Sequence, residues 1–510
     1  MKNFEIPYSD TKLFSKLVLD YINNDDALRP FINNFPLMDN FAEQISEKQR
    51  STVDRITLVK VLKKQNANLI LSKSSKSSIN KLLDNQTLTV TTGHQLCLFG
   101  GPLYLFYKII STLNLVEQLK ENFPKNNFVP IFWMASEDHD FNEINHINIF
   151  GKKIVWDSKQ SGAVGKMSLN NFNPVIDELK LVLGESKNAE KLMHIFKKSY
   201  LEHRNIADAT RYLINYFFGE YGLIILDPDD KDLKKQIIPL IKKDVLNNGF
   251  VDTISSQSAK ISNNHKVQAF VRDTNFFYLS DGKRELITEN LSEHIIENSP
   301  HFFSPNVLLR PLYQEVILPN IAIVGGGAEI AYWMQLKTAF KKENIVFPIL
   351  VMRNSALLFN NKEIEKFTNL GFNIYDIFKD ENSLQKEYIL SQPSLNVSLQ
   401  KQKSIIKEIF DNLIKETDDI GLKKSINSHL SKQLSALSKL EIKLIRNEKK
   451  KHETSISKIS KIKNNLFPEN YLQERYTNFI PFYLTHGDNF IQILKDNLNP
   501  LNPNFVILDF

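Results

Sequence analysis

Four ionisable residues in a row, Glu137, Asp138, His139 and Asp140, sit in the stretch WMASEDHDFNEINH (133 to 146), directly behind an apolar run. Clustered carboxylates raise one another's pKa and keep a neighbouring histidine charged, which is how acid–base sites are composed. The same groups could hold a hard metal ion or orient a substrate amine, or they could form a solvated loop whose acids cap the next helix. Ser136 precedes the cluster. Asn145 and His146 follow it at helical spacing, as lining or as surface.

A second stretch, TTGHQLCLFGGPLYLFYK (91 to 108), runs from β-branched residues through glycines into an aromatic, helix-like segment. A glycine loop between strand and helix lets backbone N–H groups approach an anion, and the helix start adds partial positive charge. Gly93, Gly100 and Gly101 match neither a Walker loop nor a GxGxxG fingerprint, so a plain strand-to-helix turn is the competing explanation. His94, Gln95, Tyr104 and Lys108 are the candidate ligand contacts of this loop. Pro102 fits the first helical turn, where its missing N–H costs nothing.

Weaker candidates lie further on. Arg310 and Gln314, in LLRPLYQEVILPN, could bind a carboxylate or phosphate, since a guanidinium does so through two parallel hydrogen bonds, or could form a structural pair. In GGGAEIAYW, Gly326 and Glu329 sit at a helix start, where the acid also complements the dipole. GKMS (165 to 168) superficially resembles the lysine loop of class I aminoacyl-tRNA synthetases but falls among insertion strands, and is read as chance. Cys97 has no electropositive neighbour fixed by sequence and is read as buried and inert.

These residues need a frame that brings them together. TLTVTT has strand composition; Leu103, Phe106, Tyr107, Ile110, Leu113 and Val116 recur at helical spacing; FVPIFWMA is again an apolar run. A strand–helix–strand crossover makes its strands parallel, so both carboxyl ends reach one sheet edge. YGLIILDPDD, NIAIVGGGAEI and NIVFPILVMRNS repeat the pattern of buried strand followed by polar or glycine-rich break. The fold class expected is α/β: a Rossmann-type parallel sheet with inserted connecting regions and a long helical arm. Residues 1–150 hold N-terminal helices and the first part of the core, 151–300 insertions such as KIVWD and NFFYLSDGKRELI, and 301–395 the rest of the core. A coiled-coil hairpin spans 396–466, with Ile426, Leu430, Leu434, Leu437 and their successors at steps of three and four. Its second helix is expected to run unbroken for roughly 60 Å at 1.5 Å per residue until Pro468, and intermolecular pairing is a natural use for it. Residues 467–510 return to the core.

The chain has 510 residues, 42% of them hydrophobic, enough for a large core. The start MKNFEIPYSD lacks the features of a signal peptide and no apolar stretch reaches membrane-spanning length, so a cytoplasmic protein without membrane contact is expected. One cysteine excludes an intrachain disulfide and a Cys-pair zinc site. The net charge of +6 is uneven, with twelve Lys or Arg against three acids from Gly421 to Lys463. Aromatic stacking residues are absent there, so a solvated helix face is expected rather than a nucleic-acid footprint.

Taken together, TGHQLCLFGGPLYLFYK, PIFWMASEDHDFNEINH, LLRPLYQEVILPNIAIVGGGAEIAYW and LFPENYLQERYTNFI resemble the bacillithiol biosynthesis cysteine-adding enzymes over nearly the whole chain. The resemblance implies a core akin to class I synthetase-like nucleotidyl transferases, a coiled-coil arm used for homodimerisation, and the last step of bacillithiol synthesis, joining L-cysteine to the amine of glucosaminyl malate. Two positions depart from the family's pattern: it commonly carries glutamine where this chain has His94, and it does not require Cys97. A ligase needs an activated carboxyl group, so ATP or ADP is the expected cofactor; no metal ligands are assigned and a metal requirement stays open. The glycine loop would receive a phosphate or carboxylate, and Glu137, Asp138 or Asp140 would bind the cysteine ammonium or deprotonate the sugar amine, tuned by His139. Two rivals are a metal-dependent hydrolase or deacetylase built on the EDHD cluster, and a non-catalytic coiled-coil adaptor.

Overall fold

The computed structural model describes residues 3–280, 282–287, 291–392 and 398–510. The expected boundary at 395/396 lies outside the described residues. Two compact units are present: a larger one of Asn3–Ala356 and Glu474–Val506, and a smaller one of Leu357–Gln473 and Ile507–Phe510.

Five parallel strands form the heart of the larger unit: β1 (Thr87–His94), β2 (Asn127–Met134), β3 (Ile224–Leu226), β4 (Asn320–Gly325) and β5 (Ile349–Met352), in spatial order β5-β4-β1-β2-β3. Their near-continuous burial follows from their β-branched and aromatic composition and from cover on both faces. Alternation along β2 sends Val129, Ile131 and Trp133 into one hydrophobic cluster and Phe128 into another, where Leu115, Val116 and Leu119 of α1 (Tyr104–Asn122) pack. α1 returns the chain from β1 to β2, so the parallel pairing that crossover sequences require is present, with Thr87 to His94 opposite Asn127 to Met134.

Insertions surround this sheet as hairpins and helices. One hairpin pairs His146–Ile149 with Lys152–Val155; another pairs Phe276–Ser280 with Lys283–Leu286 and, on its other edge, Phe303–Pro305. The N-terminal region, expected to be helical throughout, opens instead with a strand over Asn3–Pro7, which Pro7 ends before the first helical turn.

In the smaller unit, α2 (Gln400–Lys415) and α3 (Ile420–Lys451) form the antiparallel hairpin, capped at Asp419, whose side chain accepts from Leu422 N–H at 2.6 Å. The second helix is not continuous. It stops at His452, and a separate helix, Glu453–Leu466, follows. The helix Glu381–Ser391 contacts the chain on both sides of the break. Lys449 Nζ donates to Gln385 Oε1 at 2.6 Å before it, Tyr388 Oη to Ser455 Oγ at 2.9 Å after it, and Ile389 and Ile445 pack together. No helix among the described residues is long and apolar enough to cross a membrane.

Candidate active site

Because β1, β2, β4 and β5 are parallel, the glycine loop, the acidic run, Gly325–Gly326 and Arg353 all leave the sheet at one edge. A cavity of about 330 Å³ opens there, lined by the cations Lys108, Arg310, Arg353 and Arg475 and by a single acid, Glu329.

Each group is held by its element. Lys108 rises from the first turns of α1, donates from Nζ to the Gly93 carbonyl at 2.8 Å and pairs with Glu329 Oε2. That same Glu329 oxygen accepts from Gly326 N–H at 2.9 Å. Burial lowers the Lys108 pKa, with Glu329 opposing it. Arg353 follows β5 and donates from Nη2 to Glu474 Oε1 at 2.6 Å. Burial disfavours its cation, but the Glu474 carboxylate outweighs burial and raises its pKa. The guanidinium lies 5.1 Å from the Tyr104 ring centroid, and Tyr104 lies 5.0 Å from the His94 ring. Arg310 is oriented by Gln314 Oε1 at 3.0 Å and Tyr332 Oη at 2.8 Å.

Two buried polar atoms at this wall, His94 Nε2 and Arg353 Nε, have no hydrogen-bond partner among the described residues. Burial, then the Lys108 and Arg353 charges, hold the His94 pKa well below the ordinary histidine value, so the imidazole is neutral at pH 7. Cations in excess with orphaned buried polar groups suit an anionic ligand such as a phosphate or carboxylate chain.

Trp133, Ala135, Val307 and Arg310 also line a neighbouring cavity of about 550 Å³ that contains Glu137, Asp138, Phe277 and Arg284. Glu137 pairs with Lys234 Nζ at 2.6 Å, and Lys234 with Asp229 at 2.7 Å. Burial pushes the Glu137 pKa up against the pull of Lys234. Burial also works against the Lys234 cation, but Glu137 and Asp229 together outweigh it and raise its pKa. Asp138 Oδ2 accepts from Gln95 Nε2 at 2.8 Å, which ties the acidic run to the glycine loop. The insertion hairpin delivers Arg284, stacked 4.1 Å from the Phe277 centroid and donating to Ser304 Oγ at 3.1 Å and the Pro305 carbonyl at 2.9 Å. Its Nη1 lies 3.0 Å from His139 Nδ1, which accepts.

The cleft thus gathers Gly93, His94, Gln95, Tyr104, Lys108, Glu137, Asp138, Arg310, Gly326 and Glu329. Other candidates go elsewhere. Gly100 is turned into the core, where an added Cβ would meet Phe479 and Phe106 at 3.2 and 3.3 Å; Gly101 and Pro102 line a third cavity. Gln314 is spent between Arg310 and Glu315, Ser136 Oγ bonds Asp227, and Asn145 accepts the Trp156 N–H with its backbone carbonyl at 2.7 Å while its side-chain Oδ1 lies 3.1 Å from His146 Nδ1. Asp140 is exposed at the start of the helix Phe141–Ile144. Among the described residues no three His, Cys, Asp or Glu side chains converge as metal donors, and Glu137, Asp138 and His139 are engaged by Lys234, Gln95 and Arg284 respectively. Cys97 is buried, which pushes its thiol pKa up to about 12.

Residues 1–354 match the family model "Bacillithiol biosynthesis BshC, N-terminal Rossmann-like domain" and residues 356–510 match "Bacillithiol biosynthesis BshC, C-terminal coiled-coil domain". The chain belongs to the BshC family. Relatives named "Putative cysteine ligase BshC" include one from Flavobacterium psychrophilum, 41% identical over 99% of this chain and 98% of its own, and one from Flavobacterium johnsoniae, 39% identical over 99% of each. A tyrosyl-tRNA synthetase from Archaeoglobus fulgidus, solved with L-tyrosine, aligns with 82% of this chain and 99% of its own at 10% identity; its TM-score of 0.23 carries no argument.

Within this BshC cleft, several residues escape sequence reasoning. Arg353 ends an apolar run at the same edge as the other sites and is findable by the logic that picked Glu137. Arg284, Lys234 and Arg475 have no local signal, because each arrives from an insertion, a side helix or the C-terminal return.

Proposed function

We propose that the chain is a carbon–nitrogen ligase that joins L-cysteine to the amine of glucosaminyl malate, the last step of bacillithiol synthesis, in the cytoplasm and as a homodimer paired through its helical arm. Family membership supports the pathway. The observation that carries the chemistry is the cationic cavity, with four cations to one acid, sharing a wall with the cavity of Glu137 and Asp138.

Joining a carboxylate to an amine at neutral pH needs an activated carboxyl group and an uncharged amine. ATP would supply the activation when bound. Lys108, Arg310 and Arg353 would hold its phosphates or the malate carboxylates by charge-assisted hydrogen bonds. Neutral His94 offers a hydrogen bond without adding charge. Asp138, tied to the glycine loop through Gln95, receives the sugar ammonium and takes its proton, while Glu137 is held in the same cavity by Lys234. Buried Trp133 lines both cavities.

Purified protein mixed with glucosaminyl malate, L-cysteine and ATP is expected to yield bacillithiol by mass spectrometry, and none when any one component is omitted. Asp138→Asn should lower turnover at least 100-fold, the usual range for removing a general base. Product formed at the wild-type rate by Asp138→Asn would refute the assigned role, and product formed without a nucleotide would refute the ligase reading.

A further inference from the structure

The third cavity, about 310 Å³, is walled by the glycine loop residues Cys97, Gly101 and Pro102 and shares Gln95, Tyr104 and Arg475 with the cationic one. Its charge pattern differs from both neighbours. Among the described residues lining it, the full charges are one carboxylate, Glu143, and one guanidinium, Arg475. Every other polar group there is neutral: burial, then Lys153, lowers the His146 pKa, and burial keeps the Cys97 thiol protonated.

The walls are built rather than incidental. Gly101, at φ +58°, lies so close to Cys97 that an added Cβ would meet the Cys97 Cβ at 2.6 Å, and its carbonyl accepts from Asn478 Nδ2 at 2.6 Å. Leu103 N–H donates to the Thr477 carbonyl at 2.9 Å, locking the loop to the segment that carries Arg475. Gln95 Nε2 donates to Glu143 Oε2 at 2.5 Å as well as to Asp138. Arg475 has no hydrogen-bond partner among the described residues, so its donors are free for a ligand. Cys97, Ile147 and Pro102 supply a small, soft, uncharged surface.

We propose that this third cavity is the subsite for a free α-amino acid with a small uncharged side chain, its ammonium on Glu143 and its carboxylate on Arg475. A net-neutral pocket with one charge of each sign complements a zwitterion, and a neutral thiol beside Cys97 and Ile147 is solvated by neither charge. Arg475 stands on the wall shared with the cationic cavity, so the carboxyl carbon faces the place where activation and amine capture are proposed. The assignment rests on the ligase reading for its choice of L-cysteine.

The test is calorimetric titration of the full-length protein with L-cysteine, cysteamine and 3-mercaptopropionate, with and without ATP and in reducing buffer, for wild type and Glu143→Gln. Wild type is expected to bind L-cysteine roughly 10- to 100-fold more tightly than either analogue, the range for losing one charged hydrogen-bond partner. In Glu143→Gln, L-cysteine should fall to the level of 3-mercaptopropionate while 3-mercaptopropionate itself is not weakened. Glu143 is exposed and the amide is isosteric, so an unchanged melting temperature separates this from misfolding. Equal binding of L-cysteine by both proteins, equal binding of L-cysteine and 3-mercaptopropionate by wild type, or no L-cysteine binding in any of these mixtures overturns the subsite. Glu143-dependent binding without amide product in the complete reaction would sink the ligase reading and leave the subsite standing. Amide product with a KM for cysteine unmoved by Glu143→Gln would do the reverse.

Discussion

His94 shows what single residues disclose. Its place after a buried strand marks it as a candidate from the sequence, but its state is set by Lys108 and Arg353, which arrive from a helix turn and from another strand end. Burial and those two cations keep its pKa well below the ordinary histidine value, which favours the neutral imidazole. The pH–rate profile should therefore lack an inflection near 6.5 arising from this group. His94→Gln, which keeps a neutral hydrogen-bonding side chain, should give a profile of the same shape with turnover reduced less than tenfold, and His94→Ala a larger loss. A limb near pH 6.5 that disappears in His94→Gln would contradict this. Glu137 was equally visible in sequence, yet its counter-charge Lys234 was not. Pairing between residues far apart in the chain is a property of packing that local pattern cannot state.

Among elements, the strands and α1 were legible because buried parallel strands are continuous apolar runs and amphipathic helices repeat at 3.6 residues. The break at His452 was not legible, since the heptad-like spacing runs across it. The hairpin that presents Arg284 and Phe277 is anchored by Asp244 of the helix Ile238–Asn247. Asp244 Oδ2 accepts from Asn275 N–H at 2.5 Å and Phe276 N–H at 3.0 Å. Burial pushes its pKa from 3.8 up to about 6. The folded chain therefore holds a proton that the unfolded chain has lost, so this contribution to stability is complete below pH 3.8 and is lost as pH rises through 6. A shift of this size corresponds to roughly 3 kcal/mol. Urea unfolding should show the stability of wild type relative to Asp244→Asn falling by about that amount between pH 4 and pH 7. Parallel curves would mean that the carboxyl does not titrate as described.

At the scale of the whole molecule, the arm carries the proposed pairing. Ile405, Ile409 and Leu413 of α2 recur at helical spacing and are 48%, 52% and 44% exposed in the single chain. Sedimentation is expected to report a dimer, and the combined Ile405→Glu, Ile409→Glu and Leu413→Glu protein a monomer. A wild-type monomer at micromolar concentration would remove the arm's assigned use. The overall plan of sheet, insertions and arm could be read from the order of apolar runs. That the C-terminal return supplies Arg475 to the cleft and Glu474 to Arg353 could not, because the segment LQERYTN has no distinguishing periodicity.

One detail of that return bears on how such a chain can change over time. Glu474 accepts from Ala356 N–H at 3.2 Å and from Ser355 Oγ at 3.2 Å, so the point where the chain leaves the larger unit after Ala356 and the point where it re-enters at Glu474 form one doorway, before Ile507–Phe510 join the smaller unit again. Everything between those two thresholds is a detour from the standpoint of the unit that carries the cleft. A short peptide bridge across the doorway would leave the path through the cleft uninterrupted. The detour is free to lengthen, shorten or swap its sequence while the guanidinium at position 353 keeps its partner.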